Sequence, residues 1–255
     1  RGYCLSVQYL QRPNCGLWLV GESRKIVRDT GVDKVMADVS FTAPPTCAKF
    51  MKSEAFGRLI AGPVGSGKTT ACIFELLRRA IGQEKAPDGR RYTKFAVTRQ
   101  TLRQLKDTVV KDCQNWVGPL GNWKVSESAF IVEFDDVYSE WLFVPMEDAE
   151  DRARLLSMQL TGGWLSECIE MDLDVLGPLG DRLGRYPSGN RGIPTWHGWI
   201  ADTNFPQLMS PWQTYMESPP LGVSIFKQPS GLDIEAENLN FLGPQTKQTI
   251  LLPID

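Results

Sequence analysis

The chain has 255 residues, of which 42% are hydrophobic and 23% are charged, and its formal net charge is −2 at pH 7. This composition argues against a disordered chain, and no apolar run approaches the roughly 18 residues of a membrane span. Residues 1 to 20 lack the apolar core of a signal peptide, so we expect a cytosolic protein with one domain or a domain plus an appendage.

Cysteine and histidine usage bears on metal binding. The sequence has six cysteines without a C-x-x-C pair, and its one histidine, His197, lies far from most of them in sequence. The sequence therefore does not show the ligand spacing that is typical of a structural zinc site. We expect reduced thiols that behave as small apolar residues at Cys4, Cys15, Cys47, Cys72, Cys113 and Cys168.

Charge is distributed unevenly along the chain. Residues 75 to 124 contain eleven Lys and Arg against five Asp and Glu, whereas residues 125 to 181 contain two Arg against fourteen acids. A basic segment of this kind is typical of a surface that faces a polyanion, but it is equally typical of a solvated helix face. Charge alone does not choose between the two.

The first fifty residues give few structural signals. Apolar runs at 4 to 10 and 17 to 20 fit edge strands or an N-terminal arm, and a helix is predicted to begin within residues 34 to 38. Two prolines predict extended chain over residues 41 to 45, and Thr46 is a candidate N-cap for a short helix that ends at Met51. In many nucleotide-driven motors the segment at residues 44 to 50 holds the adenine, but we favour a plain connector.

The clearest motif spans residues 57 to 81. A short apolar run leads into a turn that fits G-x-x-x-x-G-K-[ST], followed by a helical pattern with Ile73, Leu76 and Leu77 on one face. Glycines let successive backbone N–H groups surround an anion, and the helix dipole adds to the attraction; the alternative is a flexible surface turn. Lys68 would reach the β- and γ-phosphates of a nucleotide and Thr69 would bind Mg²⁺. The predicted phosphate-binding residues are Gly62, Pro63, Val64, Gly65, Ser66, Gly67, Lys68, Thr69 and Thr70.

A second core strand is predicted over residues 92 to 98, followed by Arg99 and an amphipathic helix over residues 100 to 112. Ligands of an open parallel sheet lie at the carboxyl ends of its strands, which would direct Arg99 toward the phosphates. A solvated arginine at the start of a helix is the alternative interpretation.

Five more elements follow in chain order. They are a hairpin with strands at 125 to 134 and 138 to 144, a helix at 148 to 157, and strands at 158 to 165, 195 to 202 and 222 to 227. The strand that begins at residue 158 leads to Glu167, and a carboxylate in that position can polarise water opposite a γ-phosphate. His197 is expected to pack in or beside its strand rather than to act in catalysis. Residues 228 to 255 have the polar composition of an interdomain linker.

In this order the elements resemble the ATPase domain of the large terminase subunit of tailed bacteriophages. The resemblance covers residues 41 to 240 and lies in GPVGSGKT at 62 to 69, TRQTLRQLKDT at 98 to 108, LLSMQLTGGWLSE at 155 to 167, DRLGRYPS at 181 to 188, ADTNFP at 201 to 206 and QPSGLDIEAENL at 228 to 239. It implies an α/β P-loop NTPase with a mainly parallel central sheet flanked by helices, plus an antiparallel hairpin. Residues 1 to 40 would be an extension of unknown role, and residues 241 to 255 would begin a linker toward a separate nuclease domain that we do not expect in this chain.

The resemblance also implies roles for particular residues. Lys68 and Thr69 would be the phosphate and Mg²⁺ ligands, Glu167 the catalytic carboxylate, and Thr203 with Asn204 the element that couples hydrolysis to movement. Related ATPases often carry Asp immediately before the catalytic Glu, but this chain has Ser166 there, and a hydroxyl is a poorer partner for Mg²⁺ than a carboxylate. Metal binding would then depend on Thr69 and ATP, or on Asp202.

An arginine supplied by a neighbouring subunit often stabilises the transferred phosphoryl group. Arg154, on the predicted helix at 148 to 157, is the favoured candidate, and a salt bridge to Glu150 or Asp151 is the alternative role. The remaining arginine candidates are Arg99, Arg152, Arg182 and Arg185.

By resemblance, the function implied is an ATP-hydrolysing motor that drives double-stranded DNA into a procapsid, with ATP and Mg²⁺ bound. The implied partners are double-stranded DNA, a homo-oligomeric ring (a pentamer), the portal and the small terminase subunit, in the cytoplasm of the bacterial host and transiently at the procapsid portal, without a membrane. Two other functions fit the residues. One is a P-loop small-molecule kinase, and the other is a nucleotide-gated binding module, which applies if Glu167 is misassigned.

Overall fold

The computed structural model describes residues 3–6, 25–29 and 34–241, with side chains from residue 39 onward except at position 40. The strands are β1 (Tyr3–Ser6), β2 (Lys25–Asp29), β3 (Lys34–Asp38), β4 (Ser40–Ala43), β5 (Gly57–Ala61), β6 (Arg91–Arg99), β7 (Gly121–Lys124), β8 (Ala129–Phe134), β9 (Val137–Pro145), β10 (Gly162–Ser166), β11 (Gly198–Thr203) and β12 (Val223–Lys227). The helices are α1 (Pro45–Lys52), α2 (Lys68–Gly82), α3 (Leu102–Gln104), α4 (Val110–Val117), α5 (Ala149–Leu156), α6 (Leu176–Gly180) and α7 (Pro211–Glu217).

The central element is an eight-stranded sheet with the order β12-β5-β11-β10-β6-β9-β8-β7. Every pairing from β12 to β9 is parallel, and the two pairings that involve β8 are antiparallel. The prediction of a mainly parallel sheet with an antiparallel hairpin is therefore confirmed. The hairpin extends the sheet at the edge farthest from β12.

Helices cover both faces of this sheet because the side chains of a strand alternate between its faces. Ile60 of β5 enters a core with Phe50 of α1 and Leu77 of α2, whereas Leu59 enters the opposite core with Leu179 of α6. The helix that follows the glycine-rich turn is thus buried against the sheet along the apolar face predicted for it. This packing holds the amino end of α2 at the carboxyl edge of β5.

Four predicted segments differ at their boundaries. The first hairpin strand begins at Ala129, because residues 125 to 127 form a 3₁₀ turn and Ser128 has a left-handed φ of 47°. The helix predicted at 100 to 112 continues to Val117 through a π-helical turn, Leu105–Val109. The strands predicted at 158 to 165 and 195 to 202 begin later, at Gly162 and Gly198, and end at Ser166 and Thr203.

Two predictions near the amino end are wrong. Lys34–Asp38 is a strand rather than the start of a helix, because it pairs in antiparallel register with Lys25–Asp29. Thr46 does not cap α1: the N-cap position is Pro44, and Thr46 already lies in the first turn, where its hydroxyl donates to Glu237 at 2.7 Å. Proline at the first helical position tolerates its missing N–H, so this start needs no side-chain cap from Thr46.

Some expectations lie outside the described residues. These are residues 7 to 10 and 17 to 20 of the two apolar runs, the side chains of Cys4 and Cys15, and the linker beyond residue 241. In the described part of the chain, no helix combines the length and apolarity that crossing a membrane requires.

Candidate active site

A cleft of about 570 Å³ opens at the carboxyl edge of the sheet, where the chain leaves β5, β10 and β11. Because these three strands are parallel neighbours, their ends meet at one edge, which is where open α/β sheets bind ligands. The cleft is lined by Phe41, Thr42, Val64, Gly65, Ser66, Gly67, Lys68, Thr69, Thr70, Trp116, Glu167, Asn204, Asn238 and Phe241. Most of the predicted phosphate-binding residues and the predicted catalytic carboxylate thus share one cleft.

The glycine-rich turn delivers the amino end of α2 to the cleft. Gly67 is the N-cap of α2 with φ 86°, a left-handed conformation that glycine adopts without steric cost. No side chain caps this helix end. The first-turn N–H groups and the positive end of the helix dipole are therefore directed into the cleft, as an anion site requires.

Lys68 is the principal cation of this turn, and its side chain is almost completely buried. Its ammonium donates to the carbonyl oxygens of Gly62 at 2.9 Å and Pro63 at 2.8 Å, and it lies 3.3 Å from Oδ1 of Asn204. Burial lowers the pKa of Lys68, while the carboxylates of Asp202 and Glu167 act in the opposite direction. The ammonium is thus held by neutral oxygens that an incoming phosphate can replace.

Gln228, which follows β12, holds the glycine-rich turn by hydrogen bonds to Ser66. Its Oε1 accepts from the Ser66 hydroxyl at 2.6 Å, and its Nε2 donates to the Ser66 carbonyl at 3.0 Å. Gly62 is required by this close approach, since a Cβ at position 62 would lie 2.2 Å from Gln228 Oε1. The conformation of the turn therefore depends on contacts with Gln228, a residue far from the turn in sequence.

Glu167 lines the same cleft. It follows the last residue of β10 in a left-handed conformation, with φ 48°, and its Oε2 lies 3.4 Å from the backbone N of Asn204. Burial and the nearby Asp202 raise the pKa of Glu167, against smaller opposing effects of Lys68 and Arg99. A carboxylate with a raised pKa is suited to take a proton near neutral pH.

Asn204 and Thr203 end β11 beside this carboxylate. Asn204 lines the cleft and contacts both Lys68 and Glu167. Thr203 is fully buried, and its carbonyl accepts from the backbone N of Gly62 at 3.2 Å. Asn204 thus contacts both catalytic candidates, whereas Thr203 contacts the glycine-rich turn at Gly62.

The fold has counterparts among solved structures. The large terminase of a thermophilic bacteriophage aligns with a TM-score of 0.59 and 12% identity, over 82% of this chain and 49% of that chain. A structure of the same terminase in complex with ADP aligns at 0.56 and 14%, over 80% and 48%. The HK97 bacteriophage large terminase aligns at 0.52 and 12%, over 88% and 48%.

The chain shares its fold with part of these large terminases. It spans about half the length of these terminases. Comparison with protein-family models gives no match, and neither does comparison with curated protein sequences. At such low identity the likeness concerns the fold alone.

Within this terminase-like fold, Arg99 does not line the cleft. Its guanidinium makes a bidentate pair with Glu170, at 3.1 and 3.2 Å, and donates to the Thr108 hydroxyl at 2.7 Å. The carboxylate of Glu170 also accepts from Gln104 at 3.1 Å. Arg99 therefore acts on the cleft through its charge, and the carboxylate of Glu170 is occupied by Arg99 and Gln104.

Arg154 lies on the exposed side of α5, beside a shallow surface pocket that includes Asp148, Glu150 and Asp151. Among the described side chains, it forms no ion pair with either acid suggested as its alternative partner. It does not line the cleft of its own chain. An action across a subunit interface stays a prediction, as it does for Arg152, Arg182 and Arg185.

The basic segment at residues 75 to 124 is largely neutralised by the fold. Ten of its eleven cations form ion pairs, many with acids of the segment at 125 to 181, and only Lys106 lacks such a pair within the described chain. Lys94–Glu140, at 3.1 Å, joins neighbouring strands β6 and β9. Six of these ten cations pair with acids of the segment at 125 to 181, so the two oppositely charged segments of the sequence contact each other in the fold.

Other candidates for chemistry are not at the cleft. Cys47, Cys72, Cys113 and Cys168 are buried and free, and burial raises the pKa of each thiol, to about 12 at Cys47. His197 is exposed just before β11, with its ring 5.8 Å from that of Phe56. Across the described residues, no group of three His, Cys, Asp or Glu could hold a metal ion.

Sequence reasoning missed the contribution of the C-terminal segment, residues 228 to 241. Glu237 accepts from the N–H and the hydroxyl of Thr46, and Asn238 donates to the Gly65 carbonyl at 2.7 Å. Phe241 lines the cleft together with Phe41 and Trp116, whereas residues 44 to 50 do not. No local pattern indicates these contacts, because the partners lie far apart in sequence.

Proposed function

We propose that this chain is an ATP-hydrolysing motor domain that drives double-stranded DNA into a viral procapsid, with the ATPase domain at residues 41 to 240. One observation carries the proposal: Lys68, Thr69 and Glu167 line the same cleft, and Asn204 contacts both Lys68 and Glu167. This is the arrangement that phosphoryl transfer to water requires, and the likeness to terminase ATPase domains supports it.

ATP and Mg²⁺ fit the residues that are present. The uncapped amino end of α2 offers N–H groups to phosphates, and the aromatic rings of Phe41, Trp116 and Phe241 border the same cleft. The Thr69 hydroxyl is the group in the cleft that would hold Mg²⁺ next to the phosphates. When bound, Mg²⁺ neutralises charge that develops on the phosphoryl oxygens. The terminase of the thermophilic bacteriophage binds ADP and ATP-gamma-S, and we extend nucleotide binding to this chain on that basis.

The residues divide the catalytic work. Lys68 would exchange the carbonyl oxygens of Gly62 and Pro63 for the β- and γ-phosphates and stabilise their negative charge. Glu167 would orient the attacking water and accept its proton, for which its raised pKa is favourable. An arginine of a neighbouring subunit, Arg154, would complete the site in an assembled ring.

Coupling to movement is assigned to Asn204. Its side chain contacts Lys68 and its backbone contacts Glu167, so departure of the γ-phosphate would change both contacts at once. The chain continues from Asn204 into an exposed loop that carries Leu208 and Met209. A change at the phosphates would therefore be transmitted to a surface available for contact with DNA or a neighbouring subunit.

The partners follow from the proposed function. We propose a homo-oligomeric ring that contacts double-stranded DNA, the portal and the small terminase subunit, in the host cytoplasm and transiently at the procapsid portal. Because the basic segment is mostly paired with acids, we expect weak DNA binding by the isolated chain, through the phosphate backbone and without sequence preference.

The test is phosphate release from ATP and Mg²⁺ by the purified chain, with and without duplex DNA, at low and raised salt. We expect release that duplex DNA stimulates, with a stimulation that decreases as salt rises because bound counterions compete. Nucleotide binding without turnover would overturn the proposal in favour of a binding module. A phosphorylated small-molecule product would overturn it in favour of a kinase.

A further inference from the structure

Asp202, near the end of β11, is a fully buried carboxylate with two side-chain donors. Its Oδ1 accepts from Trp164 Nε1 at 2.7 Å, and its Oδ2 accepts from the Thr69 hydroxyl at 2.9 Å. Thr69 lines the cleft and Asp202 does not. The carboxylate therefore lies behind Thr69, a residue that lines the cleft, and accepts a hydrogen bond from its hydroxyl.

The strand order explains why this carboxylate is at position 202. Ser166, the residue before Glu167, is paired in register with Asp202, and β11 lies between β10 and β5. Neighbouring strands are about 4.8 Å apart, so a side chain on β11 is one strand closer to the glycine-rich turn than one on β10. A carboxylate on β11 reaches Thr69 directly, and a serine on β10 carries no charge to offer.

The hydrogen-bond chemistry of Thr69 then depends on its partner. A threonine hydroxyl has one proton and two lone pairs, and a carboxylate can only accept. Because the Thr69 hydroxyl donates its proton in a hydrogen bond to Asp202, the lone pairs of its oxygen are left for the cleft. That is the polarity a hydroxyl needs in order to bind a cation.

We propose that Asp202 is a positioning residue for the divalent cation that accompanies the nucleotide, and that it replaces the carboxylate missing at Ser166. It acts through Thr69, by holding that hydroxyl as an acceptor toward the metal. The inference rests on the proposed nucleotide-binding function and specifies its metal site.

Asp202→Asn tests the polarity of this hydrogen bond. Trp164 can only donate, so the amide oxygen must face Trp164 and the amide N–H groups must face Thr69. Thr69 then has to accept from the amide, and its proton is directed into the cleft. We expect Mg²⁺ affinity in the presence of ADP to fall about 10- to 100-fold, the usual effect of losing an outer partner of a metal ligand.

The measurement is titration of the full chain with ADP, once with excess MgCl₂ and once with EDTA, followed by MgCl₂ titration of the ADP complex. Asp202→Asn should lose the gain in ADP affinity that Mg²⁺ confers and keep the affinity measured in EDTA. Ser166→Ala is the matched control on the neighbouring strand and should keep both. In a Thr69→Ala background, Asp202→Asn should cause no further loss of Mg²⁺ affinity, because the residue through which it acts is gone.

Circular dichroism establishes that each variant is folded. Asp202→Ser, which introduces neither a charge nor an amide, takes the place of Asp202→Asn if the latter does not fold, and the same loss is expected. A folded variant that keeps the full Mg²⁺ dependence, or that loses ADP affinity equally in EDTA, overturns the inference. Wild type that binds Mg²⁺ and ADP but releases no phosphate would overturn hydrolysis alone, whereas wild type that binds no ADP would overturn both.

Discussion

Replacing Glu75 by Gln should destabilise the domain strongly, because the carboxylate of Glu75 balances a buried arginine. Glu75 of α2 is fully buried and pairs with Arg58 of β5 at 2.7 Å, with Arg78 at 2.6 Å and with Arg79 at 2.7 Å. The Arg58 side chain is also fully buried, and two of its nitrogens have no hydrogen-bond partner in the described structure. The pair fastens the helix and the strand that flank the glycine-rich turn.

The magnitude follows from burial. Removing one partner of a buried pair costs about 3–5 kcal/mol, because the other charge is left uncompensated. With an unfolding entropy of about 2.1 cal/mol/K per residue, a chain of 255 residues should melt about 6–9 °C lower. Glu54 provides the matched control: it also pairs with Arg79, at 2.6 Å, but its side chain is 63% exposed. Glu54→Gln should lower the free energy of unfolding by less than about 1 kcal/mol.

The difference between wild type and Glu75→Gln should also depend on pH. Burial alone would raise the pKa of Glu75, but Arg58, Arg78 and Arg79 together hold it below its ordinary value. A carboxylate with a lowered pKa in the folded state stabilises above its unfolded pKa, and that contribution is lost as pH falls through the folded value. The melting temperatures of wild type and Glu75→Gln should therefore converge as the pH is lowered.

Thermal unfolding followed by circular dichroism from neutral to acid pH measures both effects. A melting temperature of Glu75→Gln equal to that of wild type at neutral pH would refute the reasoning. An equal decrease in melting temperature for Glu75→Gln and Glu54→Gln would also refute it, since burial of the carboxylate would then make no difference.

Four further predictions concern the cleft and its surroundings. Glu167→Gln should reduce the rate of phosphate release about 10²- to 10⁴-fold and leave ADP affinity unchanged, because the amide cannot accept the proton of water. The rate of wild type should rise with pH in a range above that of an ordinary glutamate, since the pKa of Glu167 is raised and only the ionised form accepts a proton. Mixing Arg154→Ala with Glu167→Gln under conditions of assembly should restore part of the activity, because some interfaces then pair two intact residues. Glu237→Ala should speed hydrogen exchange in residues 229 to 241, because the contact with Thr46 is lost, whereas Glu235→Ala should not.

Each of these has an outcome that contradicts it. Normal turnover by Glu167→Gln would mean that the base lies elsewhere. If the rate of wild type rises only in the pH range of an ordinary glutamate, the pKa of Glu167 is not raised by its burial. Failure to regain activity at any mixing ratio, with assembly verified, would eliminate Arg154 as a residue acting in trans. Equal exchange in the two glutamate variants would show that Glu237 does not hold the C-terminal segment.

The glycine-rich turn and its two flanking elements were predictable because each depends on near neighbours in the chain. A buried strand, a glycine at a left-handed position and an apolar helical face are local patterns, and β5, Gly67 and α2 match them. The same applies to the turn at Asp135, which joins β8 to β9. Position 167 was predictable for a related reason, since a strand that ends on an acid is visible in the sequence.

The arrangement around these residues was decided only by the tertiary structure. Thr69 meets Asp202 across 133 positions, Gln228 meets Ser66 across 162, and Glu237 meets Thr46 across 191. The order of strands in a sheet is set by the packing of whole elements, and local sequence does not encode it. For the same reason charge alone left the role of the basic segment open, whereas in the fold most of its cations are paired with acids. The sequence by itself thus determined which residues are candidates for phosphate binding, while the packing of β11 beside β5 decided which carboxylate stands behind them.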